Sequence, residues 1–264
     1  MLKLAQIQFA PQLGGQQNNL NKVEELIGKA EQADFIILPE LANSGYNFTD
    51  RKHALALASA VEKSEFVEML REISRKQNQY IVSGFHEKEG NELFNTSLFI
   101  SPNGEIGKYR KIHLFMNEKQ IFSKGNLGLP VFQTDDFTMG MLICFDYLFP
   151  EIWRIMALKE VEFIAHPSNL VTNKAFKIVP AQAAINRFFV FTTNRIGSER
   201  GISFAGKSFA VDTEGDVISE ALRDKEEILI TEFNPSLAHN KMITEKNHVL
   251  YDRFPDDYNE FIQK

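Results

Sequence analysis

Two stretches of this chain are echoed by two later ones in the same order, and that echo limits the folds open to it more than any other feature. Asp34-Phe-Ile-Ile-Leu-Pro39 resembles Glu162-Phe-Ile-Ala-His-Pro167, and Asn95-Thr-Ser-Leu-Phe-Ile-Ser-Pro-Asn-Gly-Glu-Ile106 resembles Gly206-Lys-Ser-Phe-Ala-Val-Asp-Thr-Glu-Gly-Asp-Val217. Between those anchors Tyr80 to Phe85 corresponds to Phe188 to Thr193, and extending the comparison backwards sets Leu4 to Phe9 opposite Met141 to Phe145. Each half then reads as a β-α-β-α-β-β unit. Two such units bury their sheets most simply by packing them face to face with helices outside. The expected fold is α/β: a four-layer α-β-β-α sandwich built from two pseudo-repeated halves.

Local patterns agree with that frame. Lys3 to Ala10 is strand-like and stops at Pro11, and Asn19 to Ala33 sets Val23, Leu26, Ile27 and Ala30 on one helical face. Phe35 to Leu38 is a short apolar strand. Arg51 to Ala60 and Glu65 to Lys76 read as helices, the second gathering Phe66, Met69, Leu70 and Ile73, while Tyr80 to Phe85 and Ser97 to Ile100 read as strands. Only Gly- and Pro-bounded loops separate these elements, so residues 1–264 are expected to form one domain, with 245–264 a C-terminal tail. The 23 Phe against 6 Tyr and 1 Trp imply aromatics that fill interior space. A net charge of −6, with no window in which Lys and Arg gather, argues against nucleic acid as a partner. No apolar stretch reaches membrane-spanning length, and the glutamine-interrupted start is no secretory signal. With a single cysteine there is no internal disulfide, which suits a reducing compartment. The chain reads as soluble and cytoplasmic.

That cysteine stands where a strand stops. Met139 to Ile143 is a buried strand, Cys144 to Tyr147 a turn, and Phe149-Pro150-Glu151 a helix start with proline at its favoured first position. A thiol there is fixed by packed backbone and faces a loop-lined opening, with N–H groups of the next turn able to meet an anion. A lone cysteine is also ordinary core filler. A nucleophile needs a base and an electrophile stabiliser, and the chain has candidates for both. Glu40 follows the strand Phe35 to Leu38 directly, at a desolvated edge where a glutamate requires a partner; backbone capping of Leu41 to Asn43 is the other account of it. Because Pro39-Glu40 and Cys144 both lie at carboxyl ends of strands, the edge where α/β sheets collect functional loops, they are expected to be neighbours in space. Lys108 to Phe115 as a strand would put Lys111, His113 and Phe115 on one face and Arg110 and Ile112 on the other, or would simply be an exposed strand with solvated charges. Glu118 could return a second carboxylate to the same opening. A Cys–His pair using His113 or His166 would leave Glu40 and Lys111 unexplained. The six histidines, His53, His86, His113, His166, His239 and His248, show no metal-ligand spacing, so no metal is expected.

Leu38-Pro-Glu40, Lys108-Tyr-Arg-Lys111-Ile-His-Leu, and Leu142-Ile-Cys144-Phe-Asp with Phe149-Pro-Glu151 resemble, in order, the three signature blocks of the nitrilase or carbon-nitrogen hydrolase superfamily. The likeness extends from the first strand through His166-Pro-Ser-Asn169 to the tail. It implies a Glu40, Lys111, Cys144 triad, with Glu118 matching the second glutamate of many members. It also implies the four-layer sandwich and homodimers or larger assemblies, in which a segment such as Val249 to Tyr258 crosses to a partner. On that reading Glu40 takes the thiol proton, and Lys111 stabilises the oxyanion with the N–H of Phe145 as a second donor. Glu118 orients Lys111 or the substrate nitrogen, and no cofactor is needed. Tyr46 and Asn169, each shortly after a strand end, are expected to line the pocket. After Cys144 the sequence Phe145-Asp146-Tyr147-Leu148-Phe149, with Arg154 a full helical turn beyond, favours a neutral or apolar substrate end. Asp146 is expected to repel an anion, although Arg195, Lys174 or Lys177 could supply charge. The expected activity is an amidase on small linear amides. A nitrilase, an N-carbamoyl amidohydrolase and a catalytically silent binding scaffold are the alternatives.

Overall fold

The computed structural model describes residues 1–262. Among these, the first half runs β1 (Leu2–Gln8), α1 (Gln16–Gly28), β2 (Phe35–Ile37), α2 (Arg51–Leu57), α3 (Glu65–Gln77), β3 (Tyr80–Glu89), β4 (Glu92–Ile100), β5 (Ile106–Arg110) and α4 (Glu118–Ile121). The second half runs β6 (Val131–Gln133), β7 (Thr138–Met141), α5 (Pro150–Leu158), β8 (Phe163–Pro167), α6 (Ala175–Asn186) and β9 (Phe189–Thr193). A hairpin of β10 (Ser198–Glu199) and β11 (Ile202–Ser203) follows, then β12 (Phe209–Val211), β13 (Val217–Glu220), β14 (Glu227–Phe233) and, after a further small hairpin, α7 (Pro255–Ile262). The strands form two six-stranded sheets, ordered β14-β1-β2-β3-β4-β5 and β13-β12-β9-β8-β7-β6. No described helix is long and apolar enough to cross a membrane.

The two sheets have one topology. β2 is parallel to β1 and β3, with β4 antiparallel beyond; β8 is parallel to β7 and β9, with β12 antiparallel beyond. The registers fix the equivalences and correct two of those drawn from sequence. Phe35 pairs with Leu4 and Tyr80, and Phe163 pairs with Met139 and Phe189. Leu4 therefore matches Met139 rather than Met141, and Tyr80 matches Phe189 rather than Phe188. Ile81 pairs with Ile100 as Val190 pairs with Val211, in keeping with the sequence match of those segments.

Strand alternation sorts the side chains into layers. Leu4, Phe35, Ile37, Val82 and Phe99 point at the second sheet, while Ala5, Ile7, Ile36, Ile81, Leu98 and Ile100 pack under Val23, Leu26 and Ile27 of α1 and Phe66 and Leu70 of α3. Full burial of such a side chain contributes about 1.5–3 kcal/mol. Phenylalanine fills the space between the sheets. Phe35 meets its equivalent Phe163 edge to face at 5.4 Å, and Phe233 packs on Phe163 at 5.4 Å and on Phe191 at 4.7 Å. Polar groups also cross this layer, among them Gln6, whose Nε2 donates to the carbonyls of Thr192 (2.8 Å) and Phe209 (3.1 Å).

The expected strand over Lys108 to Phe115 ends early. β5 stops at Arg110; the Lys111 N–H still reaches the Asn95 carbonyl (2.8 Å), but the Lys111 carbonyl turns to accept from Gly125 (2.9 Å). Gly125 allows this closure, since a Cβ there would lie 2.0 Å from the Arg110 carbonyl oxygen. Lys111, His113 and Phe115 therefore do not share a strand face.

Candidate active site

Glu40 reaches the interior because of the residue beneath it. After β2 the Leu38 N–H still pairs with Val82 O (2.8 Å), and the chain then turns across Gly84. A Cβ on Gly84 would stand 2.4 Å from the Glu40 Cα and 2.4 Å from the Leu41 nitrogen, so only glycine permits the crossing. Leu41 completes the turn at φ +51°. The fully buried Glu40 carboxylate accepts at Oε1 from Lys111 Nζ (2.7 Å) and Asn95 Nδ2 (2.7 Å). Its Oε2 has no hydrogen-bond partner among the described residues.

Lys111 sits between two carboxylates. Its Nζ donates to Glu40 Oε1 and to Glu118 Oε1 (2.8 Å), and the latter oxygen also accepts from the Tyr46 hydroxyl (2.8 Å). Glu118 opens α4, and its Oε2 accepts from the Phe115 N–H (3.0 Å). Burial alone would lower the Lys111 pKa, but the charges of Glu118 and Glu40 outweigh it and hold the ammonium well above its usual range. Burial raises Glu118 despite Lys111.

Cys144 begins a tight turn, Cys144–Leu148, at φ +43°, a left-handed conformation that costs a residue bearing a Cβ. Two anchors hold it. His166 Nε2 donates to the Cys144 carbonyl (2.9 Å) while its Nδ1 faces Thr192 Oγ1 (3.0 Å); burial depresses this histidine to about 4, so it stays neutral with its proton on Nε2. Asp146, buried in the same turn, accepts from the Ile143 N–H (2.9 Å) and the Tyr109 hydroxyl (2.7 Å), and pairs with His113 Nδ1 (2.7 Å). Burial, then the negative charge of Glu40, pushes the Cys144 thiol up, with Lys111 acting the other way. The thiol is therefore protonated at neutral pH and needs a base to react.

Residues 3–240 match the family described as carbon-nitrogen hydrolase. The chain belongs to that family. It is 39% identical to a nitrilase of Pyrococcus abyssi (strain GE5 / Orsay) over 98% of this chain and 99% of that one. It is 30% identical to a citrullinase of Francisella tularensis subsp. tularensis (strain SCHU S4 / Schu 4) over 93% of both. Its fold is shared by a mutant of the amidase from Nesterenkonia sp. AN1 that shows Michael addition of acrylamide at the active-site cysteine (TM-score 0.86, 23% identity, 99% of this chain and 100% of that one). This carbon-nitrogen hydrolase is thus a nitrilase-superfamily enzyme acting on C–N bonds other than peptide bonds, in the two-sheet α/β fold of its relatives.

In this hydrolase five of the side chains singled out from sequence, Cys144, Phe145, Asn169, Tyr46 and Glu118, line two neighbouring cavities, while Glu40 and Lys111 are buried behind them. Cys144, Phe145 and Asn169 line a small one of about 20 Å³ with Phe115, Tyr147, Leu170, Val171 and Thr172. Asn169 also donates from Nδ2 to the Glu40 carbonyl (3.0 Å), tying the second half to the first. Tyr46 and Glu118 line a neighbouring cavity of about 250 Å³, which shares Phe115 and Val171 with the first. A larger cavity of about 670 Å³, against Met1, Glu162, Lys241 and Tyr251, contains none of these groups.

Some expectations for the hydrolase need correction. Asp146 does not face either cavity to repel anions, since it is buried with its oxygens engaged by Ile143, Tyr109 and His113. Arg195 is sequestered, donating to Glu199 Oε1 (2.6 Å) and the Pro11 carbonyl (2.9 Å) over the Phe204 ring. Lys174 and Lys177 are exposed and line neither cavity. Asn95, which holds both the Lys111 backbone and the Glu40 carboxylate, was missed because an asparagine in a strand carries no signal of its own. Gly84 did carry one, as glycine inside an apolar strand marks a close backbone approach.

Proposed function

We propose that this hydrolase is an amidase that releases ammonia from small uncharged amides through a thioester on Cys144. The observation that carries the reading is the bare Oε2 of Glu40. A buried acceptor without a partner costs about 1–3 kcal/mol, and a carboxylate oxygen left so beside a thiol is placed to take its proton. As the Sγ–C bond forms, the thiol proton passes to Glu40 and the carbonyl electrons move onto oxygen. Lys111 has three donors, two engaged by Glu40 and Glu118, which leaves the third for the oxyanion. The Phe145 N–H at the start of the turn is the second donor. Glu40 then returns the proton to nitrogen as the C–N bond breaks and ammonia leaves. Water, losing a proton to Glu40, attacks the thioester; the acid departs and the thiol recovers that proton. Glu118 holds Lys111 in line throughout. The acrylamide adduct at the cysteine of the Nesterenkonia amidase supports Cys144 as the nucleophile.

The likeness to the Pyrococcus nitrilase favours nitriles as a second reading, and the same thiol would add to a nitrile carbon. Ammonia release from matched amides, nitriles and ureido compounds tests both. Activity on amides, absent from Cys144→Ala, is expected, whereas full turnover by that variant would remove the mechanism. We assign the enzyme to the cytoplasm, where its thiol stays reduced. We also propose a homodimer or larger assembly that covers the exposed Ile155 and Leu158 of α5, Ile185 of α6, and Tyr251 and Phe254 of the tail. Sedimentation of the native chain and of a Tyr251→Ser, Phe254→Ser variant checks it, a native monomer being the contrary result.

A further inference from the structure

We infer that the 250 Å³ cavity beside the triad receives the far end of the substrate and selects amides bearing a phenyl or medium-length alkyl group over acetamide-sized ones and over those ending in a carboxylate. This rests on the amidase reading of Cys144. The cavity adjoins the reacting groups through side chains they share. Glu118 and Tyr46 line it, and Phe115 and Val171 stand in its wall and in that of the Cys144 cavity. Phe115 also packs on Phe145 at 4.9 Å, so the passage from the thiol runs past an aromatic pair. The 20 Å³ at Cys144 holds little beyond the reacting group, because a single water needs about 10–15 Å³ on a comparable measure. Anything larger must extend into the second cavity. An apolar cavity of about 150 Å³ holds benzene, so 250 Å³ admits a phenyl with one or two methylenes.

The lining decides the chemistry. Phe48, Ile121, Phe122 and Ile202 complete the apolar wall, and the polar groups within reach are already bonded. The Tyr46 hydroxyl donates to Glu118, whose oxygens also take Lys111 and the Phe115 N–H. Asn47 gives its N–H to Glu199 Oε2 (2.8 Å) and its Nδ2 to the Glu199 carbonyl (3.0 Å). Asn117 and Ser203 are at the exposed rim. Among the described residues no Lys or Arg lines the cavity, and Arg195 is engaged elsewhere. A carboxylate entering here would lose its water, gain no cation and meet the charge of Glu118. The amino-acid end of a citrulline-like substrate is excluded on the same ground.

The test compares kcat/KM for acetamide, butyramide, hexanamide, phenylacetamide and succinamic acid. It should rise by roughly fourfold for each methylene buried, with phenylacetamide well above acetamide and succinamic acid below it. Ile202→Arg, on a surface hairpin that tolerates substitution, should lower the phenylacetamide-to-acetamide ratio by about tenfold or more and raise the relative rate on succinamic acid. A flat series, a preference for succinamic acid, or an unchanged ratio in Ile202→Arg overturns the inference. Calorimetric binding of phenylacetamide and acetamide to Cys144→Ala separates the two readings. Phenylacetamide binding about tenfold tighter, and weakened by Ile202→Arg, would uphold the compartment even if no amide were turned over, whereas equal binding would end it even if amides were hydrolysed.

Discussion

The two halves of the molecule place the same strand ends side by side and furnish them differently. Registers set Phe9 opposite Cys144 and Glu40 opposite Ser168, one residue beyond the matched prolines Pro39 and Pro167. Phe9 is buried apolar filling whose carbonyl accepts from Ile196 (3.1 Å), whereas Cys144 twists to φ +43° and is pinned by His166. Ser168 donates to the carbonyl of its own neighbour His166 (3.1 Å), whereas Glu40 holds Lys111. The thiol thus comes from one half and the carboxylate from the other. Neither sheet alone carries the proposed site, which is held together by the packing of Phe35 against Phe163 and by the Asn169–Glu40 and Tyr109–Asp146 bonds that cross between the sheets.

The sharpest break in the comparison lies beyond the fifth strand of each half. Lys108 pairs with Leu98 as Glu220 pairs with Phe209, so three residues on, Lys111 matches Arg223, which is exposed. Lys111→Met should lower kcat by roughly three decades, since it removes the proposed oxyanion donor and leaves Glu40 and Glu118 without the cation between them. Arg223→Met should leave the rate within about twofold, as exposed substitutions away from a site do. Equal losses in ammonia release from both variants would mean that the asymmetry is not catalytic.

The turn after the second strand gives the next largest effect. Gly84 matches Thr193, because the first half must carry Glu40 over that point and the second half need not. Gly84→Ala should cost about 1–3 kcal/mol, a drop of some 2–4 °C in Tm per kcal/mol, together with a disproportionate loss of kcat as Glu40 is displaced. Thr193, whose buried Oγ1 has no partner among the described residues, should tolerate valine with neutral or higher stability. Thermal unfolding beside steady-state rates checks both, and an inert Gly84→Ala would show that the crossing is not tight.

What was legible in the sequence followed from the same asymmetry. Apolar runs that stop at Glu40 and at Cys144 are visible in one dimension, and so is their repeat. Its offset along β1 and β7 was misjudged by two residues because a uniformly apolar strand has no internal mark to align on. The sequence singles out Lys111, but the strand face expected for it does not form, because the end of β5 is dictated by Gly125, far outside any local window. Asp146 read as a free anion because its partners Tyr109 and His113 lie 37 and 33 residues away. Burial of a polar group against distant partners has no period and is not readable from spacing.

A smaller effect crosses the halves. Glu199, from the second, accepts at Oε2 the backbone N–H groups of Tyr46 (3.0 Å) and Asn47 (2.8 Å), from the first, and so fixes the hydroxyl that steadies Glu118. A hydrogen bond to a charged group contributes about 1.5–3 kcal/mol, of which only the part that grows in the transition state reaches kcat. Tyr46→Phe should therefore lower kcat by about tenfold with a smaller change in stability. An unchanged kcat would reduce Tyr46 to a cavity wall.

The smallest effect is a pH dependence that separates two buried histidines. His86, in the first half, lies between Phe48 (4.6 Å) and Phe122 (5.4 Å) with neither ring nitrogen bonded to a described residue, and burial lowers it to about 3. His166, in the second, is lowered to about 4 and supports Cys144. Both folded values lie below the ordinary 6.5, so the unfolded chain takes up protons first. Stability is whole above pH 6.5 and falls as acid is added, through about 4 for His166 and on to about 3 for His86. Each contributes up to about 1.4 kcal/mol per pH unit over its window. His86→Phe should flatten urea-unfolding stability between pH 6 and 4 by about that slope and leave ammonia release at pH 7 nearly unchanged. His166→Phe should flatten the slope as well, but with loss of activity, because only His166 holds the carbonyl of the strained cysteine. Identical activity profiles for the two variants would mean that the Cys144 turn keeps its shape without that bond.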